Sequence, residues 1–504
     1  MRSQFRYIQL LTSFLLVLSS INGLCQTAGN NLLTELESFK TAFEVVSKSA
    51  KVMGTDSLVK IKQLSYELSG SKYMDGQSLS FGKAEVSLPA SQMVSIDFEK
   101  NWFVNETIDR YLGGYLFHFR SVYLDTVAFS YEVPKIRFNS LTVLPVAGKN
   151  ATRLQLLRLL PVYVIKAAMD NRSSLRYVGM VKVGPNWQHK LSFIYSNGLL
   201  MQVLIDYKTN ILTSYSFISA NEIDGDVVMD YSFADYHSLH GILFPKKRMV
   251  SNQLKKLRDE TVSVMINQPI APERFNQPLD YNKAVTMPMA MKEVAKNIYL
   301  IENVNGYNVM CLNYTDHLMV LEAVGGSADV VKLIESKFPG KPIKYLAISH
   351  YHEDHSKGLP FYINKGVTVI SGKDNIPYVN YLGNYNSHVL LSGLPKQKPK
   401  LKAIGEREVF EDENLRMEMI NFGPNLHANE LYVYYFPKEN IIFQADFLIS
   451  TDQGKIAKPI IPINREFFTK LDSLGIKPLV IYGVHLKPVP FKDFELALQQ
   501  EGGK

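Results

Sequence analysis

Six consecutive residues, His350-Tyr351-His352-Glu353-Asp354-His355, place four groups able to bind a cation in one short stretch. They stand at the end of the apolar run KYLAIS and before a helical stretch that opens near Ser356, so a strand-to-helix turn can aim them at one side of a sheet edge. Imidazole and carboxylate suit Zn²⁺, and neutral imidazole also binds iron and other first-row metals. Three more residues follow apolar runs of the same kind: His427 in NFGPNLHANEL, Asp446 in NIIFQADFLIS and His485 in VIYGVHLKP. Layered α/β folds hold ligands at such a sheet edge. His317 and His388 stand alone, and each reads as a surface or capping residue.

The ordered set resembles the metallo-β-lactamase superfamily, whose signature is His-x-His-x-Asp-His followed by a downstream His, Asp and His. The resemblance covers about Val294 to Pro490 and misses no ligand position. It implies that His350, His352 and His427 hold one metal, that Asp354, His355 and His485 hold a second, and that Asp446 bridges them. It also implies two zinc ions per chain, with iron or manganese as alternatives, and a bridging hydroxide as nucleophile that Asp354 helps to orient. Two cations about 3.5 to 4 Å apart can share and acidify a water and act as Lewis acids on the substrate. Flavodiiron members typically carry Glu where His352 stands, and the commonest dizinc β-lactamases carry Cys where Asp446 stands. The Asp is more like the glyoxalase, lactonase and phosphodiesterase branches. The stretches TDHLMVLEA, GKPIKYLAISHYHEDHSKGL and LLPVYVIKAAMDNRSSLRYVG look most like exported bacterial metallo-hydrolases with a similar upstream domain.

The elements that must position these residues come in two styles. From about residue 293 to 504, short apolar strands (NIYLIE, YNVMCLNY, HLMVLEA) alternate with helices such as ADVVKLIESKF, and the resemblance implies an αββα sandwich. Residues 281–292 read as a linker. Residues 27–280 read as a helix followed by curved antiparallel sheet, similar to the periplasmic lipoprotein-carrier type of half-barrel. An amphipathic helix from Asn31 to Met53 stops at Gly54, and AEVSLPA, MVSIDFE, YLFHFRSVYL and TVAFSYEV alternate as half-buried strands. One helix is expected from Arg153 to Met169, and Asn197-Gly198 and Asp224-Gly225 mark hairpin turns. The overall class is α+β. Between Gly372 and Met419, a segment with Tyr378, Asn380, Tyr381, Asn384, Tyr385 and Pro395 lies where the superfamily often covers its metals; a plain surface connection is the other reading.

At 504 residues, two or three domains are expected, and 46% apolar with 20% charged residues is ordinary for a globular chain. The net charge of +7 is not concentrated in any run, so nucleic acid is not an expected partner; a small-molecule substrate is. The sequence sets no oligomeric state. Arg2 and Arg6 precede an apolar stretch from Leu10 to Leu18 and then small residues, the pattern of a secretory signal peptide over residues 1–25 and too short for a stable transmembrane segment. Bulky Leu24 disfavours lipidation of Cys25, and cleavage before Gln26 would leave Cys311 as the only cysteine. The expectation is a periplasmic or secreted bacterial dizinc hydrolase of an ester, lactone, thioester, amide or phosphodiester. Its alternatives are a mononuclear iron oxygenase of the persulfide-dioxygenase kind and a carrier for an apolar ligand. Terminal sequencing of the protein from fractionated cells should start near Gln26 outside the cytoplasm; Met1 intact on cytoplasmic protein would overturn the export expectation.

Overall fold

A computed structural model describes residues 34–83, 85–195, 198–221, 224–252, 255–285, 287–383 and 397–502. The expected signal peptide, Cys25, Gln26, Asn197, Asn384, Tyr385, His388 and Pro395 lie outside the described residues. The chain divides into two compact units. Among the described residues, one comprises residues 34–60, Asn150–Ile218 and Asp230–Lys247; the other comprises Ile61–Lys149, Ser219–Met229 and residues 248–502.

In the smaller unit, residues 34–53 are helical and Gly54 follows at φ 77°, as the glycine stop requires. Strands Arg176–Val183, Asn186–Ile194 and Leu200–Asp206 form an antiparallel meander, with Gly198 at φ 81° in the second turn. The single helix expected from Arg153 to Met169 is in fact two, Lys149–Leu157 and Pro161–Asp170. Proline disfavours helical geometry in the residue before it, and Leu160 is accordingly extended (φ −110°, ψ 116°). Pro161 then takes the first helical position, where a missing N–H costs nothing. Among the described residues no helix is long and apolar enough to cross a membrane.

The larger unit combines α-helices with mixed and antiparallel sheets, an α+β fold. A seven-stranded sheet runs Ala290–Ala295, Ile298–Val304, Tyr307–Asn313, Leu318–Leu321, Ile343–Ala347, Thr368–Gly372, Lys400–Ile404. Its first three pairings are antiparallel and its last three parallel. A six-stranded sheet runs Arg407–Glu411, Arg416–Asn421, Tyr432–Phe436, Ile441–Gln444, Val480–Gly483, Val489–Pro490. Parallel neighbours need a crossover, and helices Ser327–Lys337 and Pro462–Ser473 supply two of them. One apolar cluster joins both sheets and these helices, including Leu300, Leu346, Tyr432, Phe443, Ile334 and Phe467, so the sheets share a core. The run Ile298–Ile301 is buried at every position, as a strand covered on both faces must be.

The same unit contains an antiparallel sheet from the upstream half of the chain, with strands Gln63–Tyr73, Ser87–Asp97, Trp102–Tyr111, Tyr115–Tyr123 and Ala128–Glu132 in sequence order. At the end of the last of these strands, Glu132 is fully buried and accepts the backbone N–H groups of Ile136, Arg137 and Phe138 at 3.1, 2.6 and 3.0 Å. The Arg137 guanidinium closes on the same carboxylate through Nε at 2.9 Å and lies 3.8 Å from the centre of the Phe117 ring. Glu132→Ala would strand a buried guanidinium and three N–H donors. A loss of about 3–5 kcal/mol is expected, and chemical denaturation at two wavelengths should read it; an unchanged midpoint would contradict this account.

Candidate metal centre

Strand Ile343–Ala347 is fully buried at its C-terminal end, and the chain leaves it through Ser349 and His350. His352 sits at the N-terminus of the single-turn helix Glu353–Ser356 with extended backbone, so the expected strand-to-helix turn is present. Ser356 Oγ ties that turn by donating to the carbonyls of Tyr351 (3.0 Å) and His352 (2.7 Å). Its Oγ also lies 3.0 Å from the Tyr378 hydroxyl, so the 372–419 segment buttresses the ligand turn through helix Ile376–Gly383.

Three carboxamides fix the other loops. Asn425 Oδ1 accepts the N–H of His427 (2.7 Å) and of Ala428 (2.9 Å). Gln444 Oε1 accepts the N–H of Phe447 (2.9 Å) and Leu448 (3.2 Å), turning the chain around Asp446. Asn308 Nδ2 donates to the carbonyls of Gly483 (2.9 Å) and Leu486 (2.7 Å), on either side of His485.

All seven expected residues converge. Donor atoms of His350, His352, His427 and Asp446 lie within 4.8 Å of one another, and so do those of Asp354, His355, Asp446 and His485; Asp446 belongs to both sets. Its Oδ2 is 3.3 Å from His350 Nε2, 2.8 Å from His355 Nε2 and 3.2 Å from His427 Nε2, while its Oδ1 is 2.9 Å from His485 Nε2. Asp354 Oδ2 is 3.4 Å from His355 Nε2 and 3.6 Å from His485 Nε2.

The donor set fits a cation on three counts. Buried His352 Nδ1, His355 Nε2, Asp446 Oδ2 and His485 Nε2 have no partner of hydrogen-bonding geometry, although they crowd together. Buried polar atoms normally find such partners, and a cation would serve all four. The outward nitrogens are held instead: His350 Nδ1 by Ser349 Oγ (3.0 Å), His352 Nε2 by the Ser78 carbonyl (2.8 Å), His355 Nδ1 by Glu322 Oε2 (3.1 Å) and His427 Nδ1 by the Leu112 carbonyl (3.3 Å). Burial pulls His350 down to about 4 and His352 well below its ordinary value, which keeps both rings in the neutral form a metal needs. Burial acts against the charged forms of His355, Asp354 and Asp446 too, but their mutual attraction outweighs it, holding His355 high and both carboxyls low.

Five contributors escaped the sequence reading. Glu322 directly follows strand Leu318–Leu321, is fully buried, and besides holding His355 it accepts the Ser349 N–H (2.9 Å) and the Tyr434 hydroxyl (2.7 Å) on Oε1. A lone acid ending the apolar run HLMVL was the available signal. Gln77, Ser78, Leu112 and Tyr115 come from the upstream sheet. The Tyr115 hydroxyl donates to the Asp446 carbonyl at 2.8 Å, and the turn that delivers it depends on Gly113 (φ 83°) and Gly114 (φ 93°). A Cβ on Gly114 would also come within 2.9 Å of Pro462 Cδ. The donor sets open on a cleft of about 380 Å³ walled by Tyr111, Tyr115, Phe117, Phe138 and Tyr307.

Residues 297–485 match the model of the metallo-β-lactamase superfamily. No curated protein matches the chain. Similar solved structures include a metallo-β-lactamase from Pontibacter korlensis, 12% identical over 43% of this chain and 100% of that one with a TM-score of 0.33. Another is a stereoselective inverting sec-alkylsulfatase from a Pseudomonas species, 14% identical over 42% of this chain and 41% of that one with a TM-score of 0.32.

Glu322→Gln keeps the side-chain volume but removes the charge that faces His355 Nδ1. Zinc affinity, measured by competition with a chromophoric chelator, should fall by about tenfold to a hundredfold. Wild-type affinity in a folded variant would show that the carboxylate does not support the site.

Proposed function

We propose that the protein is an exported, metal-dependent hydrolase of the metallo-β-lactamase superfamily, whose model residues 297–485 match, with two zinc ions in the site formed by His350, His352, Asp354, His355, His427, Asp446 and His485. One observation carries this reading: two four-donor sets share a single carboxylate, Asp446, at the floor of one cleft. Bound zinc supplies Lewis acidity and brings the pKa of a water towards neutrality. The chain's residues do the rest. Asp446 faces both sets, Oδ2 towards His350, His427 and His355 and Oδ1 towards His485, and so ties the two halves together. Asp354 presents Oδ2 inward and is placed to accept a hydrogen bond from an attacking water.

The bond cleaved belongs to the class of esters, lactones, thioesters, amides or phosphodiesters. The aromatic walls favour a substrate with a flat or apolar group beside the scissile bond, and they limit water around the donors. Arg137 also lines the cleft, but its charge is taken up by Glu132, so a strongly anionic tail is not what it selects.

The test begins with metal analysis of the purified protein and a screen of the zinc-loaded form against that panel, β-lactams included. Two zincs and turnover of a panel member are expected; one iron per chain would point to oxygenase chemistry instead. With the substrate in hand, Asp446→Ala should lose metal and cut hydrolysis by orders of magnitude. His317→Ala is the control, because that ring stacks on Tyr314 at 5.0 Å and pairs with Asp316 away from the donor sets. An Asp446→Ala protein with two metals and near-normal turnover would sink the bridging role.

A further inference from the structure

The connection between strands Gln63–Tyr73 and Ser87–Asp97 reaches the metal centre from the upstream sheet. Gln77 Nε2 donates to Asp354 Oδ1 at 2.9 Å across 277 residues of sequence. The next residue, Ser78, offers its carbonyl to His352 Nε2 at 2.8 Å and to the Tyr351 hydroxyl at 2.7 Å. Leu79 and Ser80 hold Asn429, two residues past His427, through its N–H and its Nδ2, both at 2.8 Å. The connection is itself pinned: Ser78 Oγ donates to the Met74 carbonyl (3.0 Å) and accepts the Val86 N–H (3.2 Å). Phe81 packs against the rings of Tyr351 and Tyr378 at 6.1 and 5.1 Å.

These contacts choose atoms as well as places. A carbonyl acceptor at His352 Nε2 puts the ring proton there and leaves the lone pair on Nδ1, the buried nitrogen that lacks a partner. A carboxamide donor on Asp354 Oδ1 occupies the outer oxygen and leaves Oδ2 facing His355 and His485. We infer that Gln77 is a positioning residue for the Asp354–His355–His485–Asp446 set: it fixes which oxygen of Asp354 meets the cation. The upstream sheet is thereby part of the metal centre. This rests on the reading of the two donor sets as a metal site.

The probe is cobalt(II) alone, titrated into the metal-free full chain and followed by its visible absorption. Wild-type protein should bind in two steps. In Gln77→Leu, which keeps bulk without a donor, and in Gln77→Glu, which replaces the donor by an acceptor, one step should weaken by about tenfold to a hundredfold while the other stays put. In an Asp354→Ala background, Gln77→Leu should add no further loss, because the two residues act through one contact. Equal weakening of both steps, together with a lower melting temperature of the metal-free protein, would make Gln77 a mere anchor of its loop and overturn the inference. So would two unchanged steps. If the wild-type chain itself takes up no second cobalt, the dinuclear reading fails first, and that result is visible without any variant.

Discussion

Bringing five imidazoles and two carboxylates within a few ångströms inside a protein creates a solvation debt that the surrounding structure must answer. Burial works against the charged forms of His350, His352, His355, Asp354 and Asp446. The outcome is uneven: His350 and His352 are held neutral, while His355, Asp354 and Asp446 keep charge because each faces an opposite one. An isolated buried ion costs several kcal/mol even after relaxation. Cations shared through Asp446 would discharge that cost for both halves at once. They would do so only if every ring already turned the correct nitrogen inward.

That requirement explains the shell around the donors. Four of the five imidazoles have an identified acceptor at the outward nitrogen, and those acceptors are Ser349, Glu322 and two backbone carbonyls. Carbonyls cannot rotate or titrate, so Ser78 and Leu112 fix a tautomer more firmly than a flexible side chain could. Glu322 is the one side-chain carboxylate in this role: it meets His355 Nδ1 at 3.1 Å and is itself satisfied by the Ser349 N–H and the Tyr434 hydroxyl. The strands do the coarse placement by ending at one edge, and Asn308, Asn425 and Gln444 do the fine placement by pairing with loop backbone.

The donors were legible because their types are rare in apolar surroundings and their order along the chain is distinctive. Their strand-end placement followed from the apolar runs before His350, Asp446 and His485. The helix over residues 153–169 was misread because its apolar spacing continues through Pro161, whereas the backbone does not. The outer contacts were illegible for a different reason. Ser78 and Leu112 act through carbonyl oxygens, which every residue has, so no side-chain pattern could mark them. Gln77 lies 277 positions from its partner, and the pairing exists only once two segments have folded together. Glu322 left a faint mark, a charge at the end of a strand otherwise buried throughout.

A metal site whose orienting contacts come from distant stretches of sequence would couple folding to metal binding. The strands of residues 61–149 and the two C-terminal sheets lie in one compact unit, and the turn at Gly113-Gly114 meets that C-terminal part twice, through the Gly113 N–H on the Leu426 carbonyl (2.9 Å) and through Tyr115 on Asp446. Anything that loosens this turn frees Leu112, and with it the His427 ring. Binding free energy of a cation here would then also be free energy for docking the upstream strands, since the docked form is the one in which Ser78 and Leu112 hold the outward nitrogens of His352 and His427. The coupling would run in both directions: a bound metal would stabilise the packed unit, and the packed unit would set its affinity. A cleft walled by Tyr111, Tyr115, Phe117 and Phe138 from one segment and Tyr307 from the other inherits the same dependence, because its shape exists only in the state that holds the donors.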